Sequence, residues 1–191
     1  MVLNRAYEKN PIAFDDNGNY IPGIHRITIK EFEDIFIKNM PESLTRKRNL
    51  NGLRNFFGSN IMTHYKEAIT KVWLDGSFCT SKENPNDIDG VIFLDPHPSK
   101  LEITNDFLLH FDQWHNLAHE KFYSDLYPIY DGEIITENMD DYLSIMTRDD
   151  VNSLIQKFDY DMKYWMGQFT FDRNRKPKGI FEIVTDGGVL S

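Results

Sequence analysis

Two kinds of hydrophobic spacing divide the chain and predict helices followed by a group of short strands. Apolar residues recur every three or four positions over about 29–39, 42–57 and 61–69, the spacing of helices with one buried face. Thr28 followed by Glu31 matches a capping box, which predicts that the first helix begins there. The N-terminal part is therefore expected to be mainly helical.

The middle of the chain changes to short apolar runs, which predict strands. Lys71–Leu74 and Ile88–Leu94 are two such runs, separated by a turn-rich segment, and Phe122–Ile129 is a third. Between the second and third strands, an amphipathic pattern near 104–120 predicts one long helix. Strands interleaved with helices indicate an α/β or α+β domain in which helices flank a small sheet.

The remaining segments extend this prediction into one domain over residues 1–191. The turn-rich residues 1–23 predict an irregular arm, residues 28–70 the N-terminal helices and residues 71–130 the core. Residues 147–184 carry the C-terminal helix, predicted over about 148–166, and a basic tail.

Composition excludes several classes of protein. With 30 Asp+Glu against 21 Lys+Arg, the formal charge is −9, which disfavours a protein that wraps nucleic acid through bulk positive charge. The one cysteine, Cys79, cannot form an internal disulfide, and no run of 18 apolar residues is present. Because the first residues also lack the apolar stretch of a signal peptide, we expect a cytoplasmic protein without a membrane segment.

The segment Trp73–Asp95 carries the candidate chemistry. Asp87 and Asp89 are two positions apart in a predicted strand, so both carboxylates share one face. Adjacent carboxylates repel, and a hard divalent cation such as Mg²⁺ is the natural partner that relieves the repulsion.

A phosphate contact is predicted just upstream of this pair. Gly76 follows the first strand and lets a phosphate approach the backbone, while the Ser77 amide and hydroxyl can donate to it. Lys82, in the same connection, can reach phosphate oxygens as a point charge.

At these residues the sequence resembles the polymerase-beta-like nucleotidyltransferase superfamily. The signature is a strand, Gly-Ser, a short connection and Asp-x-Asp, which here is Gly76-Ser77, nine residues, then Asp87-Ile88-Asp89. More narrowly, the arm, core and tail look like a little-characterised bacterial and phage group of nucleotidyltransferase-like proteins. Nucleotidyltransferases that act as antitoxins usually have ten residues in the connection, so the subgroup is left open.

The resemblance implies the nucleotidyltransferase fold, with a small mixed sheet, and transfer of a nucleoside monophosphate from an NTP with release of pyrophosphate. Asp87, Asp89 and Asp125 would be the catalytic residues and hold two Mg²⁺ or Mn²⁺ ions. Gly76, Ser77, Lys82 and Lys178 would bind the nucleotide. The implied acceptor is a protein, an RNA or a small molecule, docked on flanking helices or brought by a partner protein.

Two functions of other classes remain as alternatives. The first is a catalytically silent interaction protein of the same fold, such as an antitoxin or phage-conflict factor. The second is a phosphodiesterase or nuclease built on clustered acids, which ranks last because no general-base histidine is evident near Asp87 and Asp89. A calcium loop is excluded because aligning Gly90 to its glycine places Pro85 and Pro96 at ligand positions.

Other notable residues are explained first by structure. His115 and His119 have a spacing that can hold zinc, but no third ligand is evident. The basic residues fall in two clusters, read as solvated surface or as contacts to a triphosphate or nucleic acid: Arg46, Lys47, Arg48 and Arg54, and Arg173, Arg175, Lys176 and Lys178. Tyr164, Trp165 and Phe169 are assigned to core packing in preference to base stacking.

Overall fold

Five strands form a single sheet in the computed structural model, which describes residues 14–184 and residue 190. The strands are β1 (Gly23–Ile27), β2 (Ile69–Asp75), β3 (Ile88–Leu94), β4 (Ser124–Tyr130) and β5 (Gly179–Val184). Their order across the sheet is β1-β5-β2-β3-β4. Strands β1 and β5 are parallel, as are β3 and β4, whereas β2 is antiparallel to both of its neighbours. The predicted mixed α/β architecture with a small mixed sheet is confirmed.

Eight α-helices accompany the sheet in the part of the chain that is described. They are α1 (Ile29–Glu33), α2 (Arg46–Phe57), α3 (Asn60–Tyr65), α4 (Leu101–Leu109), α5 (Phe111–Phe122), α6 (Gly132–Glu137), α7 (Met139–Leu143) and α8 (Arg148–Phe169). Helix α1 continues as a π-helical turn over Asp34–Lys38. The predicted capping box is present at Thr28 before α1, and a second capping box at Thr147 precedes α8.

The two faces of the sheet are covered differently. On one face, side chains such as Val72, Leu74 and Ile92 join a large core formed with residues of helices α1 to α5. On the other face, Trp73, Val91 and their neighbours pack against α8 alone. Because successive strand residues point to opposite faces, the odd-numbered residues of β3 and β4, and those of β2 from Lys71 onward, share the α8 face; a register shift between Ile69 and Lys71 places Ile69 in the other core.

The helix predicted over about 104–120 is two helices, α4 and α5, with a break at His110. The break has a local cause, because the Trp114 indole donates to the Phe107 carbonyl oxygen at 2.9 Å. A ring nitrogen of His110 likewise lies 2.9 Å from the Asp106 carbonyl oxygen. The Trp114 side chain therefore satisfies the Phe107 carbonyl, which a continuous helix would pair with its own backbone, whereas the Asp106 carbonyl also accepts from the His110 amide at 3.2 Å.

The sequence pattern missed β1 and the short helices α6 and α7. Strand β1 is an edge strand whose residues are mostly exposed, so it lacks the alternation that marks a half-buried strand. Helices α6 and α7 have only six and five residues, too few for a clear helical period. Of the predicted irregular arm, residues 1–13 lie outside the described residues, and residues 14–22 contain two isolated bridges. None of the helices described is both long and apolar enough to cross a membrane.

Candidate active site

Three aspartates lie side by side on the neighbouring strands β2, β3 and β4, at the same end of these strands. Asp75, at the end of β2, pairs with Asp89 in β3, and Asp89 pairs in turn with Asp125 in β4. Residues in register on adjacent strands point to the same face, so all three carboxylates project on the α8 side. The sequence predicted Asp89 and Asp125 for this site but missed Asp75.

The predicted Asp-x-Asp pair is brought together with Asp125. Asp87 lies in the connection one residue before β3 and is half-buried, as is Asp89. Burial raises the pKa of Asp89 to about 6, and repulsion from Asp87 and Asp125 contributes to the rise. Such a cluster of negative charge is stabilised by a cation bound between the carboxylates.

Gly76 allows the Asp89 carboxylate to lie directly against the backbone of the neighbouring loop. Its φ of +75° is in the left-handed region, and a Cβ atom built there would lie 1.6 Å from Oδ2 of Asp89. Any other residue would displace that carboxylate and strain the backbone. Ser77, which follows in a short 3-10 turn over Gly76–Cys79, is partly exposed.

Arg46 holds the loop that contains Ser77. Its buried guanidinium donates to the carbonyl oxygens of Phe78, Thr80 and Lys82 at 2.6, 2.7 and 2.6 Å, and burial lowers its pKa to about 10. The assignment of Arg46 to a solvated or phosphate-binding cluster is therefore wrong. The fold uses this cation to satisfy carbonyls of a loop that makes few ladder hydrogen bonds.

The second half of the connection is fixed by the same helix. The Asn49 amide donates to the Pro85 carbonyl at 3.1 Å, and Arg48 donates to the Asn86 carbonyl at 3.3 Å. The Arg48 guanidinium also lies over the Tyr123 ring, 4.0 Å from its centroid. Helix α2 therefore positions both the first part (residues 78–82) and the last part (residues 85–86) of the loop that leads to Asp87.

Lys178, predicted as a nucleotide contact, forms a buried ion pair with Asp75. Its Nζ lies 2.6 Å from Oδ2 of Asp75, and both side chains are almost completely buried. Burial raises the pKa of Asp75 to about 7, although Lys178 acts in the opposite direction. The second carboxylate oxygen of Asp75, Oδ1, is buried without a hydrogen-bond partner.

His115 is a second residue that the sequence did not assign to this site. Nε2 of His115 lies 3.6 Å from Oδ1 of Asp125, and Nδ1 lies 2.9 Å from the Leu126 carbonyl oxygen. With Nδ1 donating to that carbonyl, Nε2 is left facing the carboxylate. The sequence expectation concerned Asp87 and Asp89; the histidine lies beside the third acid, Asp125.

Tyr127 extends the site along β4. It shares the Asp125 face, and its ring lies 5.0 Å from those of His115 and of Trp165 in α8. The pKa of its phenol is raised, first by burial, then by the Asp125 carboxylate, with smaller contributions from Asp89 and Tyr164. The side chains next to Asp125 on this face are therefore aromatic rings.

The remaining predicted residues stay at the periphery. Lys82 is exposed and forms no ion pair within the described part of the chain. His119 is exposed, and its side chain makes no hydrogen bond or ring contact with any described residue. Among the residues described, no three side chains of the metal-binding types already converge tightly enough to hold an ion.

Comparison with known proteins places the chain in one family. A family described as "Family of unknown function (DUF6932)" matches residues 12–184. No curated protein and no solved structure matches the chain. Since the match covers nearly the whole sequence, the chain belongs to this family.

Proposed function

We propose that this member of the DUF6932 family is a metal-dependent nucleotidyltransferase. It would transfer a nucleoside monophosphate from an NTP to an acceptor hydroxyl and release pyrophosphate. The observation that carries this proposal is the lateral register of Asp89 with Asp125, with Asp87 beside them. The resemblance of the Gly76-Ser77 and Asp-x-Asp motifs, on neighbouring strands of a mixed sheet, supports assignment to the nucleotidyltransferase fold.

The chemistry of the donor set fits divalent metal ions. Carboxylate oxygens are the ligands that Mg²⁺ prefers, and Mn²⁺ accepts the same set. Asp87, Asp89 and Asp125 would hold the ions, with Asp89 central because it adjoins both other carboxylates. When bound, such ions would supply activation of the attacking oxygen and neutralise the charge of the leaving pyrophosphate.

The other residues would bind and orient the reactants. Ser77 would donate to an oxygen of the β- or γ-phosphate, and Gly76 would leave room for it. The carboxylates of Asp75, Asp89 and Asp125 form a row across the sheet. Asp125 would hold the acceptor hydroxyl and take its proton, since it lies at one end of this carboxylate row. The acceptor oxygen then forms a bond to the α-phosphorus, the bond from that phosphorus to the β-phosphate oxygen breaks, and pyrophosphate leaves.

The two predicted lysines would act differently. Lys178 is held by Asp75, so we assign to it an electrostatic effect: it lowers the pKa of Asp89 and keeps that carboxylate ionised for metal binding. Lys82 is free to swing toward a triphosphate from its exposed position. Arg46 would preserve the shape of the Ser77 loop without touching the nucleotide.

The direct test is incubation with each of the four α-³²P-labelled NTPs and Mg²⁺ in cell extract. We expect label on one class of acceptor, protein, RNA or small molecule, and no label with Asp87→Ala or Asp89→Ala. The control is His119→Ala, an exposed residue away from the contacts of the site. Undiminished labelling by both aspartate variants would contradict the proposal.

The alternative is an interaction protein that keeps the fold and neutralises a partner, as an antitoxin or phage-conflict factor does. Titration calorimetry with Mg²⁺-NTP separates the two functions. Binding that is lost in Asp89→Ala supports the enzyme. No heat of binding at millimolar NTP would favour the interaction protein.

The position of His115 gives the phosphodiesterase alternative a specific argument. A neutral imidazole whose Nε2 lies 3.6 Å from Oδ1 of Asp125 can accept a proton from water as well as from an acceptor hydroxyl. This function predicts cleavage of a nucleic acid or nucleotide without NTP. Cleavage of a labelled oligonucleotide by Mg²⁺-loaded protein alone, abolished by His115→Ala, would favour it over transfer.

A further inference from the structure

A basic turn near the end of the described chain presents three cations to solvent. The turn joins Phe171 to Pro177, which pair in an isolated bridge. Its shape is fixed by Asp172, whose Oδ1 accepts from the backbone amides of Asn174 and Lys176, both at 2.8 Å. The exposed cations of the turn are Arg173, Arg175 and Lys176.

These three cations are uncommitted. None of the ion pairs formed by the described residues includes them, whereas Arg46, Arg54, Lys71 and Lys178 are all engaged. In a chain with a formal charge of −9, three free cations on one turn form a local positive patch. Such a patch is complementary to phosphates.

A stripe of exposed aromatic side chains leads from α8 to this turn. Tyr160, Tyr164 and Phe171 are 71%, 51% and 46% exposed, unusually high values for large rings. Tyr160 and Tyr164 are four residues apart on α8 and so lie on the same side of the helix. We call Tyr160, Tyr164 and Phe171 the α8 stripe.

The turn and the stripe border the carboxylates. Asn19 donates to Asp172 at 3.0 Å and also pairs with Thr80 in the loop that follows Gly76. On the other side, Tyr164 contacts Trp165, whose ring lies 5.0 Å from Tyr127, two residues beyond Asp125. The basic turn therefore adjoins the Ser77 loop, and the stripe adjoins Asp125.

We propose that the α8 stripe and the basic turn bind single-stranded nucleic acid, the acceptor in the transfer reaction. The cations would contact phosphates, and the exposed rings would stack on unpaired bases. The 3′ hydroxyl would lie at Asp125. The choice of acceptor rests on the proposed function, but the binding surface does not, because its contacts are independent of the metal and the NTP.

A duplex is a poorer fit because its bases are already stacked. The rings of the α8 stripe would then contribute nothing, and only the three cations would act. A preference for single strands over duplexes of the same sequence is therefore specific to this arrangement. A surface that is merely basic would bind both, or would prefer the more densely charged duplex.

Binding is measured by fluorescence anisotropy with 12-nucleotide RNA and DNA strands and their duplexes, in EDTA and without NTP, at several salt concentrations. The Arg173→Gln/Arg175→Gln/Lys176→Gln variant should reduce the slope of log K against log salt by about 2, since each contact contributes about 0.7. Tyr160→Ala and Tyr164→Ala should each weaken single-strand binding about tenfold. Comparison of the RNA and DNA strands identifies the sugar.

The matched control is Lys30→Gln/Lys66→Gln/Arg148→Gln, which removes the same charge. Lys30 follows the end of β1 and Lys66 precedes β2, both at the opposite end of the sheet, and all three are exposed outside any ion pair of the described residues. This control should leave both affinity and salt slope unchanged. A control that weakens binding equally, or a wild type that does not prefer single strands, would overturn the proposal.

The experiments distinguish an error in the proposed binding surface from an error in the proposed transferase activity. If the wild type binds single strands through these residues but transfers no nucleotide, the surface is retained and nucleotidyl transfer is rejected. If label lands on protein or small molecules and no strand binds, the transferase is retained and this acceptor is rejected. If the triple variant loses Mg²⁺-NTP binding while no strand binds to the wild type, the cations contact the triphosphate and the surface proposal is wrong.

Discussion

The two buried lysines at opposite ends of the sheet have very different surroundings. Lys71, near the start of β2, lies 2.7 Å from Glu133 and 3.3 Å from Asp131. Asp131 also accepts from the Thr70 hydroxyl at 2.8 Å and the Glu133 amide at 3.3 Å, so both of its oxygens are satisfied. At the other end, Lys178 satisfies one oxygen of Asp75 and leaves Oδ1 without a partner.

The difference separates an end of the sheet with compensated charges from the end where we propose the active site. At the Lys71 end, burial favours loss of the lysine proton, yet its acidic neighbours raise its pKa above the usual value. At the Lys178 end, acids outnumber the cation, and the pKa values of Asp75 and Asp89 rise to about 7 and about 6. Uncompensated negative charge of this kind is expected at the end of the sheet where we propose that metal and nucleotide bind.

The largest effect is expected from Asp89→Asn, which removes the central charge of the carboxylate row. Nucleotide transfer should fall on the order of 1,000-fold, because the metal loses its central ligand. Stability should be unchanged or higher, since repulsion with Asp87 and Asp125 is relieved. Asp131→Asn should do the reverse, lowering stability while preserving transfer by the folded fraction. Labelling assays measure transfer and urea unfolding measures stability. If each of the two variants lowered both transfer and stability, the distinction between the two ends of the sheet would be contradicted.

Lys71→Met should destabilise the fold by about 3–5 kcal/mol, because Asp131 is left as a buried, unpaired charge. Lys178→Met should cost less at pH 6 than at pH 8. The reason is that Asp75, whose pKa is already raised to about 7, can then take up a proton and become neutral. Urea unfolding at the two pH values measures the difference. An equal cost at both would contradict the assigned ionisation of Asp75.

The metal-free protein should lose stability as the pH rises from about 4 to about 7. Asp75 and Asp89 have folded-state pKa values above their usual value of 3.8, so the folded state binds more protons across that window. Each pKa unit corresponds to about 1.4 kcal/mol, so the two raised pKa values together correspond to about 7 kcal/mol. Urea titrations in EDTA would show this slope, and Asp75→Asn should flatten it. A stability that increases over the same range would contradict the prediction.

The smallest effect is expected from Lys82→Ala. Its side chain is exposed and unpaired within the described chain, so unfolding free energy should change by less than about 0.5 kcal/mol. If Lys82 contacts the triphosphate, the dissociation constant for Mg²⁺-NTP should rise several-fold in calorimetry. Ser77→Ala serves as the comparison within the same loop. An unaltered constant for Lys82→Ala would remove this lysine from the nucleotide site.

The sequence was sufficient for the strands that carry Asp89 and Asp125, because their apolar runs are short and bounded by turns. It could not supply the register, which depends on how α4 and α5 return the chain to β3. Asp75 was missed for a similar reason. It ends an apolar strand, and only its pairing with Lys178, from another region of the chain, reveals it as a buried charge.

His115 and Arg46 show what local patterns omit. The helical spacing of His115 and His119 drew attention to zinc, whereas the relevant neighbour of His115 is Asp125 on the adjacent strand. Arg46 belongs to a basic run whose sequence is typical of an exposed cluster, yet its guanidinium donates hydrogen bonds to three loop carbonyls. Both roles depend on contacts between elements, which no spacing within one element encodes.

The central position of β5 has a consequence for how the protein is made. Strand β5 lies between β1 and β2, although it is the last described strand in chain order. Until the ribosome has released residues 179–184, β2 is an open sheet edge with an apolar face, and Asp75 has no lysine. Such an edge can pair with another chain, so the nascent protein should be most prone to aggregation before β5 is added to the sheet. The same step that fills the gap between β1 and β2 also brings Lys178 to Asp75, so a chain without β5 would lack this buried ion pair.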